Sequence, residues 1–214
     1  MIVPFRDRKH AGEILAQELV AYRGAEAAIL SIPNGGVAVA APIAKQLQLP
    51  IDLIIVRKIP IPGTTEAGFG SIASDGSMFL NNQLVRRLQL SREKISELAK
   101  PVLEQIRTRI LHYGVKGDYG LVREKTAILV DDGLASGVTM EAAIYTVQKY
   151  KPAEIIVAAP TASKTAVERI SPLVDHIVCP SVRDSYYFAV ADAYENWHDL
   201  EDEEVSAILA ELHR

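Results

Sequence analysis

Apolar residues along this chain follow two rhythms, and the switches between them lay out its elements. Short unbroken runs predict buried strands at Ala27 to Ile32, Asp52 to Val56, Ala127 to Val130, Glu154 to Ala159 and His176 to Cys179. Between these runs the apolar positions recur at helical spacing. Ile14, Leu15, Leu19 and Val20 predict a helix within Asp7 to Ala21, stopped before Gly24. Pro33-Asn34-Gly35-Gly36 breaks the first strand, and Val37 to Leu47 reads as the helix that follows. Asn81 to Leu90 and Ser91 to Tyr113 predict two more helices; the longer one places Ile95, Leu98, Val102, Ile106 and Ile110 on one face. Helices at about Gly137 to Tyr150, Ser163 to Ile170 and Leu200 to Leu212 complete the set. Strand, turn, helix, strand in that order implies right-handed βαβ units. The expected fold class is therefore α/β, doubly wound, around a mostly parallel sheet of roughly five strands.

Two segments break both rhythms. Ile59 to Ser71 carries Pro60, Pro62, Gly63, Gly68 and Gly70, which predicts a long flexible lid loop. Glu66 in that loop reads as a solvated carboxylate. Ser74-Asp75-Gly76-Ser77 is a hairpin-turn signal between short strands near Gly70 to Ala73 and Met78 to Leu80. The second segment, Pro180 to Trp197, gathers Tyr186, Tyr187, Phe188, Tyr194 and Trp197. Residues 1–214 are read as a single domain, with a small hood built from about 1–24 and 180–214.

Composition narrows the function classes. The chain has 214 residues, 49% hydrophobic and 23% charged, which suits an ordinary globular core. A net charge of −4 argues against a nucleic-acid-binding surface. No apolar run approaches the ~18 residues of a membrane-crossing helix, and MIVPFRDRKH has no signal-peptide layout. The expected location is cytoplasmic. Cys179 stands alone, so no internal disulfide can form, and its apolar neighbours suggest an inert buried thiol. His10, His112, His176, His198 and His213 show no metal-ligand spacing. Asp199, Glu201, Asp202, Glu203 and Glu204 read as a solvated helix start.

The chemistry concentrates in Thr126 to Ala143, TAILVDDGLASGVTMEAA. A buried strand ends there in Asp131 and Asp132, followed by a small-residue loop and a helix start. Loop amides and the positive end of a helix suit a phosphate, and the acids suit ribose hydroxyls. Gly137 permits close approach and left-handed backbone angles.

This stretch resembles the phosphoribosyl pyrophosphate (PRPP) loop of the type I phosphoribosyltransferases, matching at the apolar run, Asp131, Asp132, Ser136, Gly137 and Thr139. Pro33-Asn34-Gly35-Gly36 resembles the family's pyrophosphate loop, with Asn34 where a Pro-Arg-Gly-Gly version carries arginine. Arg57-Lys58, followed by Pro60-Ile61-Pro62-Gly63, resembles its basic strand end and lid. The likeness over most of the chain is to bacterial predicted phosphoribosyltransferases of unassigned acceptor.

The resemblance implies transfer of a 5-phosphoribosyl group from PRPP to a nucleobase-like acceptor, with release of pyrophosphate. It implies ribose held by Asp131 and Asp132, the 5′-phosphate by Ala135, Ser136, Gly137, Val138 and Thr139, and the pyrophosphate by Asn34, Gly35, Gly36, Arg57 and Lys58. Arg57, Lys58, Asp131 and Asp132 are the expected catalytic set. Mg²⁺ is implied through PRPP oxygens, without dedicated protein ligands. Ala135 stands where hypoxanthine-guanine enzymes carry an aspartate, which disfavours a 6-oxopurine. Base-recognition candidates in the hood are Phe5, Arg6, Tyr186, Tyr187 and Phe188; the same aromatics suit a core or a homodimer interface. The alternative reading is a non-catalytic PRPP- or nucleotide-binding regulatory protein on the same fold.

Overall fold

The computed structural model describes residues 5–62, 68–115, 118–185 and 187–212. Tyr186, Gly63 and Glu66 lie outside the described residues. The chain begins with α1 (Arg8–Glu18), β1 (Ala27–Ser31), α2 (Gly35–Leu47) and β2 (Ile51–Leu53). A second run follows, β3 (Val56–Pro60), β4 (Gly68–Ala73), β5 (Met78–Leu80), α3 (Asn82–Arg87) and α4 (Arg92–Tyr113). The rest is β6 (Thr126–Val130), α5 (Val138–Gln148), β7 (Glu154–Ala158), β8 (Thr161–Ser163), α6 (Lys164–Ile170), β9 (His176–Val178), β10 (Ser181–Arg183) and α7 (Asp202–Leu212).

Five of these strands form a parallel sheet in the order β2-β1-β6-β7-β9. Every position of β1 is buried, which is why its sequence runs apolar without alternation. The side chains of β6 still divide by parity. Ala127 and Leu129 enter a core with Ile144 and Val147 of α5, while Ile128 and Val130 enter another with Val39 and Ile43 of α2. Helices thus cover both faces, as a doubly wound fold requires.

The segment around Arg57 differs from the sequence-based expectation. Asp52 to Val56 reads as one strand, but β2 stops at Leu53 and Val56 opens β3. β3 pairs antiparallel with β4, and β4 with β5, in a separate three-stranded sheet. The expected loop over Ile59 to Ser71 is therefore strand at 59–60 and again at 68–71. Pro60, at the end of edge strand β3, and Gly68 and Gly70, in the central β4, concealed the pattern because both residue types read as loop. Ile59, Phe69 and Ile72 of this sheet pack on Ile95, Val102 and Ile106 of α4. Val205 and Leu209 of α7 close the same core, so α4 joins the hairpin sheet to the C-terminal helix.

The segments around Phe5 and Tyr194 meet. Phe5 bridges to Tyr194, and Phe5, Ala11, Ala193 and Tyr194 form a small buried cluster with Trp197 against it. A short parallel pair, β8 with β10, extends the same end of the molecule.

Ile106 is fully enclosed between α4, the hairpin sheet and α7. Ile106→Ala is expected to cost about 2–5 kcal/mol by loss of transfer energy and cavity formation. Urea unfolding with an unchanged slope and a lower midpoint would check this.

Candidate functional site

Strand order places the site. β1 continues through α2 to β2 on one side, while β6 lies on its other side, so the chain reverses direction between β1 and β6. A crevice opens at the carboxyl ends of strands at such a switch point. Ser31 is in register with Val130, and the loops that follow these two residues start side by side. They carry Pro33-Asn34-Gly35-Gly36 and Asp131-Asp132.

Close packing of these loops explains the two glycines. A Cβ on Gly36 would sit 2.9 Å from the Val130 carbonyl oxygen and 3.0 Å from the Asp131 Cα. A Cβ on Gly35 would lie 1.8 Å from Asp132 Oδ2. Both residues belong to the first turn of α2, so they are required by proximity to the acids rather than by an unusual backbone angle. Gly137 is different: it holds φ +74° and caps α5 without a side-chain hydrogen bond. That leaves a helix N-terminus with small, exposed neighbours, Ala135, Ser136, Val138 and Thr139. Such an end favours an anion.

The two acids occupy different electrostatic situations. Arg8 Nε donates to Asp132 Oδ2 at 2.8 Å in a largely buried ion pair. Arg8 also donates to the His198 carbonyl at 2.8 Å, and its guanidinium lies 3.9 Å from the centre of the Trp197 ring. The Tyr194 hydroxyl donates to the Asp132 backbone carbonyl at 2.6 Å. Burial holds that hydroxyl well above its usual pKa, so it stays a donor. Asp131 forms no ion pair among the described residues and feels the Arg8 charge only weakly; its carboxylate accepts from the Asp132 amide at 2.8 Å. Burial, with the adjacent Asp132 charge, raises Asp131 well above the usual carboxylate range.

Across the crevice stands positive charge. A cavity of about 820 Å³ is lined by Arg57, Lys58, Ser136, Val138 and Thr139 among others. Arg57 is half-buried, and that burial lowers its pKa, with the nearby Arg109 charge adding to the effect. The structure thus brings the α5 loop and the Arg57-Lys58 pair to one cavity, with Lys58 more exposed than Arg57, while Asp131 and Asp132 stand at the end of β6 just before that loop and are not in the cavity lining.

Asn34 is turned away from capping α2. Its side-chain nitrogen donates to the Leu200 carbonyl at 2.7 Å and to Asp202 Oδ1 at 3.0 Å. Its oxygen accepts from Arg109 and from the Tyr113 hydroxyl, each at 3.1 Å. Asp202 is therefore part of an internal network rather than only a solvated helix start. Tyr113, followed by Asn34 and Arg109, holds it below the usual carboxylate range. Sequence reading missed Arg109 and Tyr113; their i, i+4 spacing on α4 is the only sequence sign that they share a face.

The hood candidates separate. Phe5 is buried against Tyr194, Arg6 pairs with Asp7 at the surface, Phe188 is half-buried and Tyr187 is 86% exposed. Burial pushes the Cys179 thiol up to about 11, consistent with an unreactive side chain. Among the described residues no helix is long and apolar enough to cross a membrane.

Comparison with known proteins bears on the family and the fold. The family model for the phosphoribosyl transferase domain matches residues 7–195. The crystal structure of TT1426 from Thermus thermophilus superposes with a TM-score of 0.82 at 34% identity, covering 98% of this chain and 99% of that one. The Mycobacterium tuberculosis protein named "Putative phosphoribosyl transferase Rv0571c" is 33% identical over 210 residues, 98% of this chain. The chain spans about half (47%) the length of that curated relative. AQ2163 from Aquifex aeolicus shares the fold at a TM-score of 0.51 and 14% identity, over 82% of this chain and 74% of that one. The chain belongs to the phosphoribosyl transferase family, as the residues of Thr126 to Ala143 implied.

The raised Asp131 pKa carries a stability consequence. A carboxyl that binds its proton more tightly folded than unfolded stabilises the fold below its ordinary pKa, and that contribution is lost as pH rises through the folded value. Asp131→Asn removes this titration and keeps an acceptor for the Asp132 amide. The variant should melt higher than the parent at neutral pH, and the advantage should vanish in acid. Thermal unfolding across that pH range would check it.

Proposed function

We propose that this chain transfers a 5-phosphoribosyl group from PRPP to a nitrogenous base and releases pyrophosphate. The observation that carries this reading is one cavity lined by both the uncapped start of α5 and the cationic pair on β3. The acid pair at the end of β6 lies immediately before that helix start in the chain. PRPP presents three matching parts: ribose hydroxyls, a 5′-phosphate and a diphosphate.

The proposed division of labour follows from charge. The loop from Ala135 to Thr139 receives the 5′-phosphate through its amides and the Ser136 and Thr139 hydroxyls. Asp131, the acid without a cationic partner among the described residues, accepts from a ribose hydroxyl. Asp132 orients the second hydroxyl while Arg8 holds its other side. Arg57 and Lys58, with the amides of Gly35 and Gly36, offset the charge that builds on the departing diphosphate. Positive charge building at the anomeric carbon would be stabilised by the nearby carboxylates.

The described residues contain no group of three His, Cys, Asp or Glu side chains able to hold a metal ion. In this reading Mg²⁺ would be carried on the diphosphate and ribose oxygens, with water completing its shell. When bound there, the ion would neutralise diphosphate charge. The acceptor is a flat base presented from the hood side, with Tyr187, Phe188 and Arg6 as its candidate contacts and Tyr186 beside them in sequence.

Pyrophosphate release from PRPP is expected to require both Mg²⁺ and an added base, read across a panel of nucleobases. Tight PRPP binding with no release for any base would replace transfer by the regulatory-protein reading. Ser136→Ala combined with Thr139→Val should weaken PRPP about a hundredfold or more, as loss of two charge-assisted hydrogen bonds implies. Unchanged PRPP affinity by calorimetry would remove the phosphate loop from the site.

A further inference from the structure

A second cavity of about 320 Å³ adjoins the first. Its lining includes Pro33, Asn34, Val56, Arg57, Arg109 and Thr139. Val56, Arg57 and Thr139 line both cavities, so the two are one continuous groove. At its inner end stand two guanidiniums. Arg57 comes from the hairpin sheet and Arg109 from the last turns of α4.

We infer that Arg109 is a binding residue for the diphosphate end of the substrate, paired with Arg57, and that Asp202 is its resting counter-ion. The inference rests on the proposed PRPP reading and names a residue that reading does not contain. Three observations carry it.

First, Arg109 is positioned rather than loose. One terminal nitrogen donates to Asn34 Oδ1 at 3.1 Å and the other to Asp202 Oδ1 at 3.2 Å, with the side chain 22% exposed. A guanidinium carries five N–H donors in a fixed fork, so two such bonds leave donors to face the groove.

Second, charge at this end is unbalanced. Two cations share one carboxylate, Asp202 Oδ1, which already accepts from Tyr113 at 2.6 Å and Asn34 at 3.0 Å. Arg57 forms no ion pair among the described residues and feels the Arg109 charge as repulsion. A multiply charged anion bridging both guanidiniums relieves that repulsion.

Third, Asn34 itself brings no charge to its loop. The positive charge beside Asn34 comes from Arg109, delivered through the Asn34 side chain that orients it. Asn34 is thus an adaptor between the loop and a cation supplied by another element.

The competing explanation is a tether: Arg109 would merely tie α4 to the start of α7. Calorimetry on the full chain separates the two, with inorganic pyrophosphate, PRPP and ribose 5-phosphate as probes in the presence of Mg²⁺. Arg109→Gln should weaken pyrophosphate and PRPP about tenfold or more and leave ribose 5-phosphate within about twofold. Asp202→Asn keeps an acceptor but removes the counter-charge, so it should bind pyrophosphate as tightly as the parent or tighter. A tether predicts the opposite, with Asp202→Asn weakening pyrophosphate as Arg109→Gln does, and that result overturns the inference. Parent-like pyrophosphate binding by Arg109→Gln overturns it as well, while leaving the PRPP reading in place. A parent chain that binds none of the three probes overturns both.

Discussion

Two carboxylates at consecutive positions, set at the end of a buried strand, repel each other and lose hydration together. Most of the site's architecture answers that constraint. Asp132 is neutralised by Arg8, and Arg8 is itself fixed by the His198 carbonyl and the Trp197 face. The pair thereby joins the first helix and the C-terminal aromatic segment to the strand end. Asp131 forms no ion pair among the described residues, and burial with the Asp132 charge raises its pKa despite the Arg8 charge nearby. An acid kept in an unfavourable state by its fold is a group held ready for a ligand that can donate hydrogen bonds or bring a cation.

The same strand end dictates the opposite wall. Register between Ser31 and Val130 brings α2's first turn so close to the acids that only glycine fits at 35 and 36. Positive charge on β3 and α4 lines the cavities together with the uncapped α5 start. The proposed occupant, a sugar bearing a phosphate and a diphosphate, would set its diphosphate against these cations and its phosphate at the α5 start, with its hydroxyls towards the acids.

Much of this was legible in the chain because buried parallel strands write themselves as unbroken apolar runs. Ala127 to Val130 marked β6 and the acids at its end without coordinates, and Gly137's left-handed angle follows from a loop that must turn sharply. The hairpin sheet was hidden for a physical reason. Its strands sit apart from the main sheet, alternate in burial and contain Pro60, Gly68 and Gly70, all of which read as loop. The Asn34 network was hidden for another. Its members lie at 34, 109, 113 and 202, and only the packing of α4 between the hairpin and α7 unites them. Local patterns report which face of a helix is apolar; they do not report which polar residue at the edge of that face meets a distant loop.

That last point bears on how charge is delivered to the site. Residues on the strand-end loops are confined to small side chains by close packing, as Gly35 and Gly36 demonstrate. A long cationic side chain has to come from an element with room behind it. α4 has that room, because its apolar face is spent on Ile95, Val102 and Ile106 while Arg109 and Tyr113 lie at its C-terminal end beside α7. Asp202, at the first turn of α7, then does two things at once: it caps the polar edge of this packing and partly neutralises Arg109. The C-terminal helix is in this way coupled to the cationic end of the groove. Stability of the α4–α7 contact and readiness of the cationic wall therefore draw on the same few hydrogen bonds around Asn34.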